Sequence, residues 1–218
     1  MGKNAKNKVS RIKVKKKLWC KINAPKLFGQ MEIGESYLSS PESAVGRLMK
    51  VNLKDLTGNI KDQKVYVSFR IDRADGSTLN TSVIGCELTP TSVKRSVRKN
   101  TDKIDDCFIA KTKSGEEVII KSLVVTSFKT QRSLKKQIRQ QLKSIISEES
   151  SKSDFSTFMS NLVNRRIQNG AKKIIHKIYP VKEVALRKVI LKSKKNDSAS
   201  ESKVAGQETA SQAETAAA

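Results

Sequence analysis

Hydrophobic and polar residues alternate through Val65, Tyr66, Val67, Ser68, Phe69, Arg70 and Ile71, the period of two that turns one face of a strand toward a core. Asp75-Gly76 then supplies a turn, and Leu79, Thr81 and Val83 resume the alternation, so residues 64–85 are expected to form a hairpin. A second strand pair is expected at 106–111 and 116–128, joined around Ser114-Gly115, and the stretch 46–53 adds a further strand. That set exceeds an isolated hairpin and suffices for a small barrel or sandwich. Between the two hairpins, Thr89-Pro90 has the form of an N-cap followed by proline at the first helical position. Val93 and Val97 share one face of this short helix, with Lys94, Arg95, Arg98 and Lys99 around the others.

The period lengthens after residue 130. Leu134, Ile138, Leu142, Ile145 and Ile146 recur at helical spacing, and Arg132, Lys135, Lys136, Arg139 and Lys143 fill the remaining surface without an acidic residue before Glu148. Ser153 or Asp154 is expected to cap a second helix with Phe155, Phe158, Met159, Leu162, Val163 and Ile167 inward, ended by Asn169-Gly170. A third, short helix runs through Ile174, Ile175 and Ile178 to Tyr179, where Pro180 stops it. The branched residues from Val184 to Leu191 then suit a strand that returns to the first group.

The chain of 218 residues is expected to divide into a basic disordered arm over 1–18, a single globular domain over 19–195 and a disordered low-complexity tail over 196–218. Within the domain, 44–128 is β-rich, 130–179 helical and 181–192 the returning strand. The arm lacks the apolar content to fold alone, and its like charges repel one another. The tail is Ser, Ala, Glu and Gln, too polar to offset its ordering entropy.

Charge changes the picture most. The chain carries a formal net charge of +23 with 37% hydrophobic residues, which points to a polyanionic partner. Ten Lys or Arg precede Glu32, the first acidic residue. Apolar runs stay short, as at Val118-Ile119-Ile120, far below a membrane span, and no apolar segment follows the first lysines as a secretory leader would. No membrane partner and a cytosolic or nuclear location are therefore expected. Of the polyanions, nucleic acid fits best, because four separate elements are basic. The expected RNA-binding residues are Lys3, Lys6, Lys8, Arg11, Lys13, Lys15, Lys16 and Lys17 in the arm, Lys94, Arg95, Arg98 and Lys99 in the short helix, Arg132, Lys135, Lys136 and Arg139 in the long one, and Arg165, Arg166, Lys172 and Lys173 beyond.

Candidate chemistry is sparse. Cys20, Cys86 and Cys107 are far apart with a single histidine in the chain, a poor match to paired zinc ligands, so reduced thiols packed as small apolar residues are expected. His176 sits among Lys172, Lys173 and Lys177, where a phosphate contact or solvation suits it better than base catalysis. Asp102, Asp105 and Asp106 could hold Mg²⁺ in an RNA-directed enzyme, but one loop seldom supplies a whole ligand shell, and capping or ion pairing at a strand start is the expected role. Phosphate-cradling and nucleophile-elbow motifs are absent from the sequence. No cofactor and no catalytic role are expected.

Spaced residues along the chain carry a resemblance. Trp19, Ile22, Ala24, Pro25 and Phe28 form W-x-x-I-x-A-P-x-x-F, followed by Ile33-Gly34. Gly46-Arg47 with Val51, Leu53, Asp55 and Leu56 forms G-R-x-x-x-V-x-L-x-D-L. Gly85 with Leu88-Thr89, Gln137-Ile138-Arg139, and Ile178-Tyr179-Pro180 with Arg187-Lys188-Val189 complete the series. From about residue 13 to 195 this resembles the small-ribosomal-subunit protein one family of the archaeal and eukaryotic type, also called S-three-A-e. The resemblance implies an α+β fold with a central antiparallel β-barrel, a short inserted helix and a C-terminal group of helices. It also implies a structural constituent of the small subunit's platform near the mRNA exit. The implied partners are small-subunit ribosomal RNA, neighbouring small-subunit proteins and mRNA near its exit, with no homo-oligomer and a cytoplasmic location on the ribosome. The alternative is a free RNA-binding or RNA-chaperone module acting off the ribosome. Trp19, beside Leu18 and Ile22, is expected to pack on the core rather than stack on an unpaired base.

Overall fold

The chain enters the fold as a strand, well before the alternation at Val65 becomes legible. In a computed structural model, which describes residues 16–192, β1 (Leu18–Asn23) buries Cys20 and Ile22 and pairs antiparallel with β2 (Glu32–Leu38). Pro25 and a 3₁₀ turn at Lys26–Phe28 join them, and Gly29 closes that turn in the left-handed region. The expectations for the arm up to Lys15 and for the tail from 193 lie outside the described residues.

A 3₁₀ turn at Pro41–Ala44 leads to β3 (Leu48–Asn52) and the single-turn α1 (Leu53–Thr57). The hairpin of β4 (Val65–Asp75) and β5 (Thr78–Leu88) follows, then α2 (Pro90–Ser96), with proline at its start. A second hairpin joins β6 (Lys103–Lys111) to β7 (Glu117–Thr126). The helices α3 (Arg132–Lys152), α4 (Phe155–Val163) and α5 (Arg166–His176) come next, and β8 (Val181–Leu191) returns to the sheet.

Among the described residues eight strands share one sheet, but they do not close into the expected barrel. β5 explains why. On one side it pairs with β4 along its length; on the other, Thr78–Asn80 pair in parallel with β1, while Gly85–Glu87 pair antiparallel with β8. The sheet therefore forks at β5 into a β1–β2 branch and a β8–β7–β6 branch. Among the described residues, β2, β3 and β6 each pair with a single strand, so no rung joins the outer edges as closure would require. The β1–β5 pairing also makes the sheet mixed rather than antiparallel.

Each branch has its own apolar centre. Beneath the helices, Ile120, Val124, Val184 and Val189 of β7 and β8 meet Ile138, Leu142 and Ile146 of α3, Phe158 and Met159 of α4, and Ile175 of α5. On the other branch Cys20, Ile22, Leu38, Ala44, Ile71 and Leu79 cluster. A third group gathers Leu53 and Leu56 of α1 with Val67 and Phe69 of β4, and Phe28 meets Phe69 edge to face at 5.8 Å.

The boundary between α4 and α5 departs from the sequence expectation. Asn169-Gly170 does not end a helix; Gly170 lies inside α5. The break falls at Asn164-Arg165, where Arg165 adopts φ 57° and its guanidinium donates to the Lys61 carbonyl at 3.0 Å and to Asp62 at 3.1 Å. A tertiary anchor on a distant loop thus outweighs the local Asn-Gly signal. Trp19 departs as well: it is 63% exposed, because alternation sends its neighbours Cys20 and Ile22 into the core and leaves the indole on the outer face. Cys20 and Cys86 are buried as expected, whereas Cys107 is exposed. Among the described residues no helix is long and apolar enough to cross a membrane.

Candidate nucleic-acid interface

The Asn52 side chain accepts from the Lys54 amide at 3.0 Å and so caps α1, while its amide group donates to the Gln63 carbonyl at 3.2 Å. Gly58 ends the helix in the left-handed region, and the chain turns through a 3₁₀ segment, Ile60–Asp62, that presents Lys61. The Arg165 guanidinium clamps the back of this segment. Across from it, the Thr89 amide donates to the Lys64 carbonyl at 2.9 Å and sets the start of α2. Beyond that helix, the Thr101 hydroxyl donates to the Arg98 carbonyl at 2.6 Å and accepts from the Arg98 amide, a closed loop that fixes Arg98. Lys172 donates to the Lys182 carbonyl at 2.8 Å and holds the first residues of β8.

These walls enclose an open cleft of about 580 Å³. Lys61, Lys64, Arg95, Arg98 and Lys182 line it with Tyr66, and Glu183 is the acidic side chain among its lining residues. Thr91, Ser92 and Gln63 add polar groups between the cations. A concave wall of clustered cations concentrates positive potential where a phosphodiester backbone can enter, and the tyrosine ring adds a surface for a sugar or base.

A second basic surface runs along α3. Arg132, Lys136, Arg139 and Lys143 are exposed and follow one another at steps of four, three and four, which aligns them on one side of the helix over about 16 Å. Lys135 is turned away from this stripe to pair with Asp102 at 2.9 Å. Asp102 also accepts from the Thr130 amide at 2.7 Å and from its hydroxyl at 3.0 Å. The Thr130 amide, then the Lys135 ammonium, hold the Asp102 carboxyl down at about 2, below its usual 3.8. One carboxylate thereby ties the loop that follows α2 to the first turn of α3.

The sequence-expected cations divide by this geometry. Lys3, Lys6, Lys8, Arg11, Lys13 and Lys15 lie outside the described residues. Lys16 and Lys17 lead into β1, Lys94 and Arg95 end α2, and Lys99 is exposed beside Arg98. Arg132, Lys136 and Arg139 form the stripe, and Arg166 and Lys173 are exposed on α5. Lys135, Arg165 and Lys172 are engaged internally. The cleft adds Lys61, Lys64, Tyr66 and Lys182, which sequence spacing did not single out because they meet Arg95 and Arg98 only when three distant segments come together.

The acidic trio is dispersed. Asp105 pairs with Lys103 and, at 3.7 Å, with Arg187, while Asp106, within β6, accepts from the neighbouring Cys107 amide. No group of His, Cys, Asp and Glu suited to a metal occurs among the described residues. The lone histidine has a structural contact: the Val181 amide donates to His176 Nδ1 at 3.2 Å, bracing the turn from α5 into β8, while the side chain stays exposed.

The model of the ribosomal S3Ae family matches residues 5–195 of this sequence. The chain belongs to the ribosomal S3Ae family. It is similar to the small ribosomal subunit protein eS1 of Saccharolobus islandicus (strain L.S.2.15 / Lassen #1), with 31% identity over 194 residues covering 88% of this chain and 93% of that protein. The protein of the same description from Methanothermobacter thermautotrophicus is 31% identical over 174 residues, 80% of this chain and 89% of its own length. Membership in a family of ribosomal proteins makes the chain a structural constituent rather than an enzyme. It also gives the cationic surfaces a context, since such proteins work inside a ribonucleoprotein.

Proposed function

We propose that this protein is a structural constituent of the small ribosomal subunit that binds ribosomal RNA, in the cytoplasm, through the cleft at Arg95 and Arg98 and through the α3 stripe. The cleft carries the proposal: five cations from three separated segments converge on one concavity, held there by the Arg165, Thr101 and Lys172 contacts. A cluster so braced is organised before it meets its partner, so little ordering entropy opposes phosphate binding. The family match and the relatives' description as small-subunit proteins support the same conclusion. A place on the platform near the mRNA exit, with neighbouring small-subunit proteins and mRNA close by, follows from the family resemblance, and so does the absence of a homo-oligomer.

Sedimentation of the tagged protein from a native lysate tests this. It is expected to travel with the small subunit and the full ribosome, and to stay there in high salt. Material that remains at the top of the gradient, or leaves the particle at modest salt, would favour a free RNA-binding module.

A further inference from the structure

The outer face of β1 and β2 carries a feature the cleft does not use. Trp19 and Tyr37 are partners in the strand register, and their rings lie 4.9 Å apart at 35°. The Lys17 ammonium sits over the Tyr37 ring, 5.4 Å from its centroid. Both rings are bare, at 63% for Trp19 and 51% for Tyr37. Neither is needed to hold β1 in place, because Cys20 and Ile22 anchor that strand from its other face. An exposed indole packed at a tilt against a tyrosine, with a lysine over the tyrosine ring, is a preformed aromatic surface on a strand pair.

We infer that Trp19 and Tyr37 form a stacking platform for an unpaired nucleobase of the bound RNA, with Lys16 and Lys17 taking the adjoining phosphates. This rests on the RNA-binding function proposed above and assigns that RNA a single-stranded element. Charge selects the occupant. The approach to the platform along the chain is Lys16 and Lys17, whereas the next position on the same face of β2 is Glu35, opposite a Lys21 whose ammonium is already paired with Glu32 at 3.1 Å. A strand of RNA is thereby drawn to the Lys17 end and turned away from the Glu35 end, so its base meets the indole while its backbone stays with the lysines. A duplex keeps its bases inside and offers the platform no free face to stack on.

Trp19 is the only tryptophan in the chain, so its fluorescence reports on this platform alone. The full-length protein is titrated with a short oligoadenylate and, separately, with a blunt RNA duplex, and binding is followed independently by anisotropy of the labelled RNA. The oligoadenylate is expected to quench Trp19 strongly, while the duplex binds without comparable quenching. Trp19→Ala is expected to weaken oligoadenylate binding about fivefold or more and Trp19→Phe to restore most of it, with duplex affinity unchanged. Oligoadenylate binding without quenching, equal quenching by both RNAs, or unchanged affinity in Trp19→Ala would overturn the platform and leave the RNA-binding function standing. An absence of binding to either RNA by anisotropy would overturn both.

Discussion

Asp102 accepts two hydrogen bonds from Thr130 and an ion pair from Lys135, three contacts that join the strand-side loop to α3. These contacts hold its carboxyl down at about 2 in the fold, against its usual 3.8. A depressed carboxylate favours the folded state above its unfolded value, and that contribution disappears as pH falls through the folded one. Asp102→Asn is therefore expected to melt below the parent at about pH 5, and the gap should narrow below about pH 4 and close only below about pH 2. Thermal unfolding across that range measures it; a gap constant down to the lowest pH would show that the charge is not what matters. The capping or pairing role was legible at this residue, since an aspartate before a strand commonly does one or the other. Trp19 was not legible in the same way. Leu18 and Ile22 made its surroundings look apolar, yet a strand alternates, and Trp19 falls on the face opposite Cys20 and Ile22. The strand at 18–23 itself was missed: its apolar positions are interrupted by Lys21, and its partner β2 carries Glu32 and Glu35.

Two glycines separate the demands of strand and helix. In β5, a Cβ on Gly85 would lie 2.0 Å from the Val189 carbonyl oxygen, at the point where β8 leaves the fork. Backbone, not a flexible side chain, occupies that space, so Gly85→Ala must push two strands apart and is expected to cost about 3 kcal/mol. In α5, a Cβ on Gly170 meets nothing within 4 Å, and its backbone is helical, so Gly170→Ala is expected to stabilise by up to about 1 kcal/mol. Urea unfolding of the two variants checks both signs, and stabilisation by Gly85→Ala would contradict the close approach of β8. The same contrast marks what sequence patterns revealed of the elements. The two hairpins, α2 behind Thr89-Pro90, the apolar face of α3 and the returning strand follow from short-range periodicity and turn chemistry. The end of α4 did not, because Arg165 is held by Lys61 and Asp62, a hundred residues away in the chain. Nor did the fork: one strand sharing an edge between two partners leaves no local trace.

Across the whole molecule, charge falls into two classes that composition cannot separate. Arg132, Lys136 and Arg139 stand free on α3, whereas Arg165 is committed to the Lys61 carbonyl and to Asp62, whose side chain is only 14% exposed. Both classes were equal candidates in the sequence, since each is a cation on a basic element. Their consequences for binding and folding should be opposite. Each phosphate neutralised on a duplex steepens the fall of log K with log salt concentration by about 0.9, through release of a counterion. Replacing Arg132, Lys136 and Arg139 together by Gln is therefore expected to flatten that slope by roughly 2 to 3 and to weaken RNA binding at low salt, with the unfolding midpoint unchanged. Arg165→Gln should do the reverse: it removes the guanidinium that donates to the Lys61 carbonyl and to Asp62, lowering stability by about 1 kcal/mol while the slope stays where it was. Salt titrations of RNA binding, run beside urea unfolding on the same two variants, separate the outcomes. A slope that flattens for Arg165→Gln and not for the α3 triple variant would move the RNA from the helix stripe to the junction between α4 and α5, where the arginine would have to exchange Asp62 for a phosphate.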